Sequence, residues 1–183
     1  IIRDPCQNGR SAISMLPANF MQESRTIRSF VKRTGRMTGA QKRALKELWP
    51  QYGVEFSHAH LDLDDLFGRR AERVLEIGFG NGESLIEQAA ANPQCDFIGI
   101  EVHESGAGHC LLLARQTGIA NLRIIIHDAF EVLQSQIPDN RLCRVDLYFP
   151  DPWPKKRHHK RRIVQPEFLT LVARKLTPGG SLH

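Results

Sequence analysis

From residue 73 onward this chain alternates short apolar runs with amphipathic stretches, and that alternation constrains its fold more than any other feature. Residues 73–78, 97–101, 122–127 and 145–149 read as strands. Residues 84–91, 106–116, 129–136 and 166–176 read as helices between and after them. Asn92-Pro93 stops the first of these helices and Gly118 ends the second. Pro178-Gly179-Gly180 forms the exit of the last, and residues 181–183 begin a fifth strand. Repeated strand–helix alternation predicts an α/β fold with a doubly wound parallel sheet. Right-handed crossovers place all strand C-termini on one rim, where ligands bind such sheets.

Before the alternation begins, the chain reads differently. Residues 1–24 are weakly patterned and predict a flexible extension. Residues 25–54 predict a basic arm followed by a helix, and residues 55–183 the sheet domain. Thr38 is a candidate N-cap for a helix from 39 to 49, with Pro50 ending it. Ala44, Leu45, Leu48 and Trp49 give that helix an apolar stripe. Residues 61–67 predict one or two further helical turns.

Charge is segregated along the chain. The formal net charge is +5. Residues 24–46 hold eight Lys/Arg and no acid, and residues 155–162 hold six more and no acid. Elsewhere eleven basic residues face all twenty acids. An acidic body with two basic segments points to a polyanionic partner, a nucleic acid before any other. No apolar run reaches the roughly 18 residues that span a bilayer. Cys6, Cys95, Cys110 and Cys143 are scattered without a CxxC pair. They predict reduced thiols in a cytoplasmic protein, with neither a disulfide framework nor a zinc site. His158 and His159 have no matching Cys/His cluster, so no metal is expected.

The rim of the predicted sheet carries the chemistry. The first strand runs into Glu76-Ile77-Gly78-Phe79-Gly80-Asn81-Gly82-Glu83, a G-x-G-x-G turn. Position 83 is Glu, where a dinucleotide fingerprint requires Gly or Ala. Glu76 would repel a pyrophosphate but suits a cationic or amino-bearing ligand. Glu101 ends the second strand about twenty residues past the glycine turn, where a carboxylate accepts the hydroxyls of a ribose. Asp128 follows the third strand, and Asp151 lies near the end of the fourth. Four consecutive strands are thus each expected to deliver one carboxylate to the rim. A ligand with a ribose, an adenine, an amino-acid tail and a sulfonium uses all four, which is the pattern of S-adenosylmethionine-dependent methyltransferases.

The segment from Phe149 to Arg162, F-P-D-P-W-P-K-K-R-H-H-K-R-R, makes the resemblance specific. With V-L-E-I-G-F-G-N-G, G-I-E-V-H, H-D-A, the arm R-S-F-V-K-R-T-G-R-M-T and W-P-x-Y-G-V-E-F, it resembles the bacterial tRNA (guanine-N7)-methyltransferase family. The resemblance covers residues 27–183. It implies a class I S-adenosylmethionine methyltransferase fold over residues 55–183, lacking its last strands at the C-terminus. It implies methylation of a variable-loop guanosine of tRNA at N7. It also implies cofactor contacts at Glu76, Gly78, Gly80, Gly82, Glu101, Asp128 and Asp151. Glu76 would lie near the methionine end, Glu101 at the ribose and Asp128 at the adenine. Asp151 would be catalytic, Lys155 would contact the substrate, and Arg157, His158, His159, Lys160, Arg161 and Arg162 would hold the RNA. Two other classes remain open on the residues alone: a methyltransferase acting on a protein or small molecule, and a non-catalytic RNA-binding module.

Overall fold

The computed structural model describes residues 37–148 and 162–183. Its centre is a five-stranded parallel sheet in the order β3-β2-β1-β4-β5. The strands are β1 (Glu72–Ile77), β2 (Cys95–Glu101), β3 (Leu122–Ile126), β4 (Leu142–Asp146) and β5 (Leu176–Leu182). The order runs outward from β1 in one direction and from β4 in the other. The β1/β4 boundary is therefore the topological switch point, where the crossovers to either side leave a crevice.

Helices cover both faces. On one side lie α1 (Gly39–Tyr52), α3 (Glu83–Ala91) and α4 (Glu104–Thr117). Their Ala44, Tyr52, Leu85, Ala89 and Leu111 pack with Val74, Phe97 and Ile124 of the sheet. On the other side α2 (Leu63–Phe67), α5 (Ala129–Ser135) and α6 (Pro166–Lys175) bring Leu63, Leu133 and Phe168 against Leu75, Ile77, Ile98 and Ile100. Strand side chains alternate between faces, so Val74 enters one core and its neighbour Leu75 the other. This is why apolar residues follow one another directly in β1 (Val74-Leu75) and β2 (Phe97-Ile98): both faces of a parallel sheet are buried.

Three boundaries differ from the sequence reading. Pro50 does not end α1, which continues to Tyr52. A proline in a helix deprives one carbonyl of its donor. Here the proline and Lys46 one turn earlier are both exposed, so the break in the hydrogen-bond ladder falls on the solvent side of the helix. Tyr52 then anchors the last turn, its hydroxyl donating to the Ile119 carbonyl at 2.9 Å. Strand β4 lies three residues earlier than the apolar run 145–149 predicts. Its pairing with β1 sets Arg144 opposite Val74, Val145 opposite Leu75 and Asp146 opposite Glu76. Polar groups occupy this strand because they satisfy one another, a possibility that hydrophobic patterning does not register. Finally, β5 begins at Leu176, with Pro178-Gly179-Gly180 inside it rather than before it. The register with β4 shifts there, from Leu142 opposite Leu176 to Arg144 opposite Ser181. Such a bulge leaves its extra residues, Pro178 among them, out of the ladder with β4.

The N-terminus of α1 follows expectation. Thr38 and Gln41 form a reciprocal capping box, each side chain bonding the other's backbone N–H. Phe168 is fully buried beneath α6. Phe168→Ala is expected to lower unfolding free energy by about 3–5 kcal/mol, read as a drop in the urea midpoint with unchanged slope.

Candidate active site

The C-terminal rim gathers three of the four carboxylates expected from sequence. Glu76 is the penultimate residue of β1, Glu101 the last of β2, and Asp128 follows β3 and N-caps α5. Since β3, β2 and β1 are adjacent, the three acids form one row along the rim. Asp151, the fourth, lies outside the described residues, as do Lys155, Arg157, His158, His159, Lys160 and Arg161. Arg162 is described and sits half-buried ahead of α6.

The glycine turn links β1 to α3. Gly78, Gly80 and Gly82 take φ of 70°, 59° and 88°, the left-handed region that L side chains rarely adopt. At Gly78 and Gly80 a Cβ would meet nothing within 4 Å, so the backbone there faces open space. Gly82 N-caps α3.

Glu101 holds this turn in shape. Its Oε2 accepts the Gly80 N–H at 3.0 Å. Its Oε1 accepts the Val102 and His103 N–H groups at 2.7 and 3.0 Å. Each carboxylate oxygen offers about two acceptor sites. One oxygen is thus fully used by backbone, and the other keeps one position for a ligand hydroxyl, where the sequence reading expected room for two. Asp128 is similarly divided: its Oδ1 accepts from Phe130 and Glu131 N–H at 2.8 and 3.3 Å, closing the start of α5.

Asp146 is the residue that the sequence reading missed. It closes β4 directly opposite Glu76, across the switch point. Glu76 is 4% exposed and Asp146 fully buried. Arg144 Nε donates to Asp146 Oδ2 at 3.0 Å, and Arg144 Nη2 donates to Gln88. Gln88 Nε2 in turn donates to Glu76 Oε2 at 3.4 Å. A single guanidinium thus serves two buried acids, one of them through an amide. Asp146 Oδ1 is buried with no hydrogen-bond partner among the described residues. An unsatisfied carboxylate oxygen beside a second acid is costly unless a donor arrives. The group that fits is a cationic amine, or a sulfonium close to one. The signal in sequence was present as an acid inside an apolar run, but the misplaced strand boundary hid it.

Burial, with the Asp146 charge adding to it, pushes the Glu76 carboxyl up to about 7 against the Arg144 charge. Burial likewise raises Asp146, again opposed by Arg144. Among the described residues no cluster of three or more His, Cys, Asp or Glu is placed to hold a metal. Nor is any described helix long and apolar enough to cross a membrane. Burial also pushes the Cys110 thiol up to about 12, so it is an inert core group.

The raised Glu76 carboxyl carries a stability consequence. The unfolded chain releases this proton near 4.5 and the folded one near 7. Stability therefore falls as pH rises through that window and is level above it. Glu76→Gln removes this loss. It is expected to be more stable than the parent by up to about 3 kcal/mol at pH 8, the difference shrinking below pH 5. Urea unfolding at both pH values tests this, and an equal difference at both would contradict it.

Comparison with known proteins gives the geometry a family. The family described as putative methyltransferase matches residues 70–183. The tRNA (guanine-N(7)-)-methyltransferase of Halorhodospira halophila is 56% identical over 164 residues, covering 89% of this chain and 71% of that protein. That of Nitrosococcus oceani is 56% identical over 161 residues, 88% of this chain and 68% of its own. That of Alkalilimnicola ehrlichii is 59% identical over 161 residues, 87% of this chain and 68% of its own. At this identity over most of its length, the chain belongs to the tRNA (guanine-N(7)-)-methyltransferase family.

Proposed function

We propose that this protein transfers a methyl group from S-adenosylmethionine to N7 of a guanosine in the variable loop of tRNA. The observation that carries the reading is identity of 56–59% to proteins of that activity over 87–89% of the chain. The rim supports the cofactor assignment. Glu76 and Asp146 supply the buried anionic pair for an amino-acid ammonium, and Glu101 retains an acceptor for a ribose hydroxyl. The open backbone at Gly78 and Gly80 allows close approach, and Asp128 stands at the adenine end of the row. S-adenosylmethionine, when bound, supplies an electrophilic methyl group on a positively charged sulfur.

Guanine N7 carries an in-plane lone pair and no proton at neutral pH, so the attack needs no general base. What the chain contributes is alignment and electrostatics. Fixing nucleophile, methyl carbon and sulfur in line supplies up to roughly 7–11 kcal/mol of the barrier. Positive charge leaves the sulfur and appears on the guanine ring. A carboxylate facing that ring therefore favours the transition state over the ground state. Asp151, in P-D-P-W five residues after the end of β4 in the sequence, is the residue we assign to that role. Lys155 contacts the substrate, and Arg157, His158, His159, Lys160, Arg161 and Arg162 hold tRNA phosphates. Trp153 stacks on the target base or its neighbour, worth roughly 1–3 kcal/mol. With tRNA as its substrate, we assign the protein to the cytoplasm.

The test is methyl transfer from labelled cofactor to unmodified tRNA, followed by mapping of the modified base. Label at a variable-loop guanosine N7 is expected, and label on protein in place of tRNA would overturn the reading. Asp151→Ala is expected to lose at least about a hundredfold in single-turnover rate while keeping its melting temperature. A near-normal rate would remove Asp151 from the mechanism.

A further inference from the structure

A groove of about 430 Å³ lies between α1, the start of α4 and the end of β3. Met37, Leu45, Trp49 and Ile126 make its apolar lining, and Lys42, Lys46 and Glu104 its charged edge. Lys42, Leu45, Lys46 and Trp49 fall at helical spacings of three and four, so one stripe of α1 forms a whole wall.

Two features set this stripe apart from an ordinary solvated helix face. The first is the state of Trp49. Its indole Nε1 donates to Glu55 at 2.6 Å. One face of its ring lies on the backbone of Gly53, where an added Cβ would stand 2.1–2.6 Å from the ring carbons. A half-exposed indole is thereby held in one orientation, packed in part against the core on the α1 side and in part lining the groove. The second is charge. The acid within α1, Glu47, is answered by Arg115 of α4 at 3.7 Å. Lys42 and Lys46 are exposed and form no ion pair among the described residues. The wall itself is rigid. Gln41 Nε2 donates to the Ser105 carbonyl at 3.1 Å, fixing α1 on α4.

A fixed aromatic platform flanked by two uncommitted ammonium groups has the chemistry of a nucleotide site. The ring stacks a base and the lysines take the phosphates on either side. We propose that this groove binds a nucleotide of the tRNA other than the methylated guanosine, its base on Trp49 and its phosphates at Lys42 and Lys46. The proposal rests on the tRNA reading above and extends it to a second contact on the β3 side of the rim. Glu104, in the first turn of α4, closes the opposite wall. Its carboxylate repels phosphate and accepts from exocyclic base amines. The groove therefore favours one orientation of the nucleotide, with base inward and phosphates toward α1.

The experiment compares the full chain with K42Q/K46Q, W49L and W49F. It measures affinity for unmodified tRNA across about 50–250 mM salt, and S-adenosylmethionine affinity by calorimetry. K42Q/K46Q is expected to weaken tRNA binding roughly tenfold or more at about 0.1 M salt. It is also expected to flatten the log–log salt slope by about 1.5. W49L is expected to weaken binding with the slope unchanged, and W49F to restore much of it because the aromatic face remains. Cofactor affinity should stay at the parent value in all three, which also shows that they fold. Parental tRNA affinity and slope in K42Q/K46Q would overturn the proposal while leaving the methyl-transfer reading intact. Loss of cofactor affinity instead of tRNA affinity would assign the groove to the cofactor and likewise overturn it. A parent chain that neither binds nor methylates tRNA would bring down both readings.

Discussion

The parallel pairing of β1 with β4 is the constraint on which the rest of this structure depends. It creates the switch point in the sheet order and sets Glu76 and Asp146 side by side at the crevice. Two carboxylates buried in adjacent strands would drive the strands apart unless something intervened. Arg144 does so from within β4, bonding Asp146 directly and reaching Glu76 through Gln88 of α3. Arg144 is shared between the two buried acids; burial and the Asp146 charge raise the Glu76 carboxyl, and Asp146 Oδ1 has no hydrogen-bond partner among the described residues. In the proposed reading, this acidic pair faces the positively charged end of the cofactor. Sites commonly hold such tension where the surrounding core over-determines the geometry. Here both faces of β1 are packed under helices, which supplies that rigidity.

Charge is divided by task over the whole molecule. The rim is acidic and suits a cationic small molecule. Basic residues collect in the N-terminal run through α1 and in the segment after β4. In the proposed reading, the polyanion is attracted to flanking segments while the acidic crevice rejects its phosphates. The repulsive component contributes to specificity as much as the attractive one, because it keeps a phosphate from entering where a sulfonium must sit.

Much of this was legible in the sequence because the relevant signals are local. The G-x-G-x-G turn, the acids ending β2 and preceding α5, and the Thr38–Gln41 capping box are each set by residues within a few positions of one another. The errors came where pairing at a distance decided the outcome. Strand β4 was misplaced because its polar residues are justified only by Glu76 and Gln88, which stand well over fifty positions earlier. Pro178-Gly179-Gly180 read as a stop, yet β5 absorbs them as a shift of register against β4. Trp49 read as part of its helix's apolar stripe, and it does pack against the core there. Its fixed, half-open state depends on Gly53 and Glu55 packing back against it.

The three backbone bonds to Glu101 have a consequence for how this family is dissected. One carboxylate joins Gly80 of the first loop to Val102 and His103 of the second, so two loops share a single fastener. Truncating that side chain releases three amides and lets both loops relax before any ligand contact is lost. An inactive alanine variant at this position therefore reports on the architecture of the crevice, and only a substitution that preserves all three acceptors isolates the contact to the ligand.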